Sequence, residues 1–171
     1  MAHLVQGTMM VKRRERDMTL ETGATATYLT FIQSWNNRDA ATIGACFTAS
    51  GTMIGFDGSV VEGADAIATN LGAIFRDHPT PPYVALIDSV RTLAPDLELV
   101  RAEVGMARPG DTDIAADLNA WQSCLLSRDA GGWRIEWLQT TPAAFHGRPD
   151  LVKEMTARLQ AALNAADSEA T

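Results

Sequence analysis

Cysteine is scarce: the 171 residues hold only Cys46 and Cys124. Two thiols cannot build a disulfide framework. One bridge is possible, but two small core residues is the preferred reading. Basic residues are also few, with 14 Lys and Arg against 21 Asp and Glu, a formal net charge of -7 and a pI near 4.8. That balance argues against nucleic acid and against an anionic membrane surface, both of which select a basic footprint. No apolar run is long enough to read as a membrane span. Histidine is limited to His3, His78 and His146. No pair of them has ligand spacing, and neither His-x-His nor Cys-x-x-Cys occurs, so no metal site is expected. Asp111, Asp113 and Asp117 lack the Gly and Glu of a calcium loop and read as a solvated loop. No glycine-rich dinucleotide or phosphate loop follows a strand, so no cofactor is expected. The cluster Lys12-Arg13-Arg14 follows the weak N-terminal apolar run, which is the wrong order for a secretory signal. The chain reads as cytoplasmic.

What is present is an ordinary globular composition, with 46% hydrophobic residues, in a length suited to one domain. Residues 1–20 read as a loosely ordered arm, 21–165 as a single domain and 166–171 as a frayed tail. Ala24, Tyr28, Phe31, Ile32 and Trp35 share one helical face. Asp39 suits the N-cap of a short helix carrying Ile43, Cys46 and Phe47. Gly51 to Gly63 reads as a hairpin turning at Asp57-Gly58. Ile67, Leu71, Ile74 and Phe75 line a third helix that ends before Pro79. Strands are expected over 83–93, 97–106, 119–128 and 133–141. Asp150 is a candidate cap for a terminal helix with Leu151, Met155, Leu159 and Ala162 on one stripe.

This order gives an α+β chain whose N-terminal helices cover a strongly curved, mostly antiparallel sheet, with an extra C-terminal helix. Helices across such a sheet leave a cone lined by aromatic residues. In strict alternation, Trp121, Ser123 and Leu125 share one strand face, and Trp133, Ile135, Trp137, Gln139 and Thr141 another. Leu126 and Leu138 then fall on the far face. They need cover, and a homodimer supplies it economically.

The segment Phe31 to Gly63 resembles the opening of the NTF2-like or SnoaL-like superfamily through Trp35, Asp39, Phe47, Asp57-Gly58 and Gly63 ahead of Ala66-Ile67. Gly132-Trp133-Arg134-Ile135 through Gln139-Thr140-Thr141-Pro142 resembles its closing strand. Phe145-His146-Gly147-Arg148-Pro149 resembles a sequel in SgcJ/EcaC-type members, some of them associated with natural-product gene clusters. The resemblance covers about Ala24 to Asp150. It implies a conical fold, a central pocket and often a homodimer. It does not imply one activity, because the group includes isomerases, cyclases, dehydratases and pure binding domains. The resemblance places the ketosteroid isomerase tyrosine on Phe31 and the isomerase base on Gly55. Neither residue can do that work.

The expected ligand pocket is Trp35, Phe56, Trp121, Trp137 and Gln139, with the amide of Gln139 orienting an apolar ligand. Each aromatic residue has plain core packing as its alternative. Asp88 in a strand and Tyr28 on the first helix are the catalytic candidates, Asp88 either as a buried acid with raised pKa or as a plain solvent-facing residue near a sheet edge, and Tyr28 with core packing as its alternative. The functional expectation is a protein that binds or transforms a small apolar, polyketide-like molecule, with acid–base chemistry favoured over redox. Its alternative is a noncatalytic dimeric binding or assembly domain. Whether the chain is an enzyme stays open at this level.

Overall fold

The protein is described by a computed structural model covering residues 23–169. The arm expected over residues 1–20 lies outside the described residues. The chain runs α1 (Ala24–Asn36), α2 (Ala40–Ala45), β1 (Phe47–Ile54), β2 (Val60–Glu62), α3 (Ala64–Asp77), β3 (Val84–Ala94), β4 (Leu97–Gly105), a 3-10 turn (Ala116–Leu118), β5 (Ala120–Asp129), β6 (Gly132–Pro142) and α4 (Pro149–Glu169). Asp39 caps α2, accepting from the Thr42 N–H at 3.0 Å and the Thr42 hydroxyl at 2.6 Å. These bonds favour the carboxylate and hold its pKa below the usual value. Phe47 opens β1 instead of extending α2. Asp150 lies inside the first turn of α4 and is not its cap.

The six strands lie in the order β2-β1-β6-β5-β4-β3. This corrects the expected conical fold with its strongly curved, mostly antiparallel sheet. The sheet is mixed, because β1 runs parallel to β6. It is also open, because β2 and β3 are its two ends and do not pair with each other. Closure needs edge-to-edge hydrogen bonding, and β2 offers only three residues for it. Nor are the helices confined to one side. The main core joins α1, α2 and α3 to one face through Phe31, Ile32, Ile67, Leu71, Val100, Cys124, Leu126, Ile135 and Leu138. A second cluster packs Met155, Leu159 and Ala162 of α4 against Val84 and Ile114 on the other.

One irregularity decides which residues face which core. Leu126 pairs with Ile135, but Leu125 pairs with Trp137, so Glu136 is an extra residue in β6. Such a bulge reverses the alternation beyond it. Ile135 and Leu138 are therefore both buried toward α1, while Trp137 is 41% exposed. The Glu136 carboxylate is held by the hydroxyls of Thr48 and Ser127. The neighbouring strand is irregular at the same level, between Phe47 and Thr52. There a Cβ on Gly51 would lie 2.7 Å from the Ile135 carbonyl oxygen, so only glycine permits the approach. Among the described residues, no helix is long and apolar enough to cross a membrane.

Candidate functional site

A cavity of about 300 Å³ opens between α1, α3 and the sheet. Phe31 and Trp35 line it from α1, Leu71 and Ile74 from α3, and Leu138 from β6. Its rim holds Phe56 and Asp57 from the β1–β2 turn and Pro81 from the connector after α3. The rigid connector is tied to α1 at two points. The Trp35 indole N–H donates to the Pro81 carbonyl at 3.1 Å. The Asn36 amide donates to the Tyr83 carbonyl at 3.0 Å and accepts from the Tyr83 N–H at 2.8 Å. Trp35 also packs edge-on against Phe75, with ring centres 5.2 Å apart, and against Tyr83 at 5.0 Å. These contacts fix one wall before any ligand arrives, which lowers the ordering cost of binding.

Polar groups interrupt this apolar lining at Gln122, Thr140 and Tyr83. Gln122 is 1% exposed. Its Oε1 accepts from the Tyr28 hydroxyl at 2.7 Å, and its Nε2 donates to the Thr140 hydroxyl oxygen at 3.3 Å. Burial pushes the Tyr83 phenol up to about 12, with the neighbouring Thr140 and Gln122 side chains acting against that shift. Burial likewise pushes Tyr28 well above its usual value. Both phenols stay protonated at neutral pH, as buried neutral donors do. The one charged side chain of the lining is Asp57, on the exposed turn. Its Oδ1 accepts from the Ser59 N–H and hydroxyl, and these bonds hold its pKa low. A general base for neutral pH works best with a pKa near 7, and no residue of the lining supplies one.

The structure divides the expected pocket between the two sheet faces. Trp35 and Phe56 line the cavity. Trp121, Trp137 and Gln139 do not. Trp121 packs toward the α4 cluster beneath the Arg101 guanidinium. The Trp137 indole N–H donates to Gln139 Oε1 at 3.3 Å on that same face, toward solvent. The Glu136 bulge is the cause, because it places Leu138 and Thr140 where unbroken alternation places Trp137 and Gln139. Leu126 and Leu138, expected on the far face, are 0% and 1% exposed within the main core. Asp88 is no isolated buried acid. It accepts from Arg101 Nε at 2.9 Å in a partly exposed ion pair. Tyr28 is fully buried behind the cavity, with its proton committed to Gln122. Phe31 and Gly55, the positions that the resemblance assigns to the isomerase tyrosine and base, both line the cavity.

Gln122 and Thr140 are site residues that sequence reasoning missed. A signal existed in β5, where Gln122 is the one polar residue in the series Ala120, Gln122, Cys124, Leu126. Among the described residues, no group of three or more His, Cys, Asp or Glu side chains is placed to hold a metal ion.

No protein-family model matches the sequence, and no curated protein matches it. Solved structures do match in fold. A domain of unknown function with a cystatin-like fold from Nostoc punctiforme superposes with a TM-score of 0.70 at 20% identity, over 91% of this chain and 100% of its own. A ketosteroid isomerase-like protein from Erwinia carotovora atroseptica gives 0.58 at 18% identity, over 75% and 99%. An NTF-2 like protein of unknown function from Shewanella oneidensis gives 0.53 at 15%, over 68% and 93%. At these identities the likeness establishes the architecture and leaves the chemistry to the site: the chain is folded as the NTF2-like, cystatin-like proteins are.

Proposed function

We propose that the protein binds a small apolar molecule in the cavity between α1, α3 and the sheet. The observation that carries this reading is a cavity of about 300 Å³ with an apolar wall and a buried, uncharged polar cluster. Ligand sites typically combine these features. The SgcJ/EcaC-type resemblance agrees with a natural-product-like ligand. Proton transfer suits the site better than redox if the molecule is transformed. The raised phenols and the low Asp57 carboxyl nevertheless favour binding over acid–base turnover at neutral pH.

A second observation favours a dimeric binding or assembly role for the same chain. Beyond α4, the far sheet face leaves Trp137 41% exposed, with Leu99 and Leu125 only half-buried beside it. Continuous apolar surface of this kind marks an interface. Native mass spectrometry of freshly isolated protein tests both readings. A retained small molecule is expected, released by the cavity-filling variant Leu138→Trp, on a species of about twice the 18.4 kDa chain mass. A ligand-free chain that takes up no neutral apolar dye counts against the pocket reading. A clean monomer counts against the dimer.

A further inference from the structure

The polar cluster beside the cavity has a definite hydrogen balance. Tyr28 is fully buried, and Gln122 Oε1 is its one hydrogen-bond acceptor among the described residues. This fixes the amide, because the opposite orientation strands the phenol proton in the core. The Gln122 NH2 group therefore faces Thr140 and donates to its hydroxyl oxygen at 3.3 Å. The Tyr83 hydroxyl lies beside both of them in the same lining. Two neighbouring hydroxyls that bond to each other use only one of their two hydrogens. At least one hydroxyl hydrogen of the Tyr83–Thr140 pair is therefore left over, and no bond from either hydroxyl to another acceptor is present among the described residues. The cluster presents that surplus donor to the cavity. No cationic side chain lines the cavity, so a buried anion would meet one hydrogen bond and no countercharge. Across the lining, the Thr80 hydroxyl is likewise buried without a partner.

We propose that the cavity selects a neutral apolar molecule through a hydrogen-bond-accepting oxygen, a carbonyl above all, which takes the surplus hydroxyl hydrogen of the Tyr83–Thr140 pair. A ligand hydroxyl fits less well. It must also bury a hydrogen of its own, which a carbonyl does not carry. Tyr83 and Thr140 are then specificity-determining residues, and Tyr28 acts through Gln122 as a positioning residue. The inference rests on the binding reading above.

Three probes with one carbon skeleton separate the two: decalin, 2-decalol and 2-decalone. Calorimetric titration is expected to rank 2-decalone about tenfold above 2-decalol and decalin, the scale of one hydrogen bond. Its carbonyl stretch should shift to lower frequency on binding. Tyr83→Phe and Thr140→Val should each reduce the preference to about twofold or less and weaken the shift. Thr140→Ser should restore both, and matching thermal melts show that each variant is folded. Equal binding of the three probes, an alcohol preference or an undiminished ketone preference in Tyr83→Phe overturns this inference and leaves the apolar pocket standing. No binding of any probe overturns both.

Discussion

The two faces of the sheet solve the same problem with different chemistry. Toward α1 and α3, the buried polar groups are neutral: Tyr28, Gln122, Thr140 and Tyr83, tied together through the Gln122 amide with a hydroxyl hydrogen to spare. Toward α4, the neutral Asn119, whose amide donates to Thr156 at 2.7 Å, is joined by two charged pairs. Arg158 donates twice to Glu103, at 3.0 and 2.6 Å, and Arg101 pairs with Asp88. Water explains the division. Glu103 is nearly buried, but the Arg158 side chain keeps 47% of its surface in solvent and shares the cost of the charge. The Gln122 cluster at the buried end of the cavity has no such outlet, and an ion there would lose most of its hydration. One face thereby buries a neutral polar cluster, and the other carries its charges beside a docked helix.

The largest effect should come from the cavity face. Phe31 is 1% exposed and packs on Tyr28 and Phe47. Phe31→Ala is expected to destabilise the fold by about 3–5 kcal/mol, read as a lower denaturation midpoint at unchanged slope. A loss below about 1 kcal/mol would place the stabilising core elsewhere.

Alkali should act on the same face with a somewhat smaller effect. Burial raises Cys46 from 9.0 to about 11 and Tyr83 from 10.0 to about 12. In each case the folded state holds its proton more tightly than the unfolded one. The stabilisation is complete below pH 9 and is lost as pH rises from 9 toward 12. For Tyr83 it amounts to roughly 2–3 kcal/mol. Both tyrosines of the chain are buried. Tyrosinate absorbance should therefore stay absent at pH 10.5 while the protein is folded and appear together with unfolding. A smooth titration near pH 10 in the native state would contradict the neutral, sealed character of this face.

The α4 face should give the smallest response. Glu103→Gln is expected to cost about 1 kcal/mol, because the half-exposed Arg158 recovers water when its partner is lost. Hydrogen exchange in α4 should accelerate while α1 keeps its protection. Equal acceleration in both helices would show that the two faces open as one unit.

Helical periodicity was enough to place α1 and α3 and to assign their inward faces. Phe31, Ile32, Ile67 and Leu71 all lie in the core as their spacing requires, because a helix buries one stripe whatever it packs against. Asp39 identified the start of α2, since a cap is a contact within a single turn. In β6 the alternation of side chains was legible only as far as Ile135. Period two has no internal reference, so one extra residue exchanges the two faces. Nothing local to Glu136 announces a bulge. Thr48 and Ser127, 88 and 9 residues away, hold its carboxylate, and Gly51 makes room for the Ile135 carbonyl on the adjacent strand. Tertiary structure therefore decided that Thr140 and Gln122, rather than Gln139 and Trp137, meet the cavity. It also decided that the sheet stays open. Strand order and a parallel β1–β6 pair depend on which distant edges meet, which no local run of residues encodes.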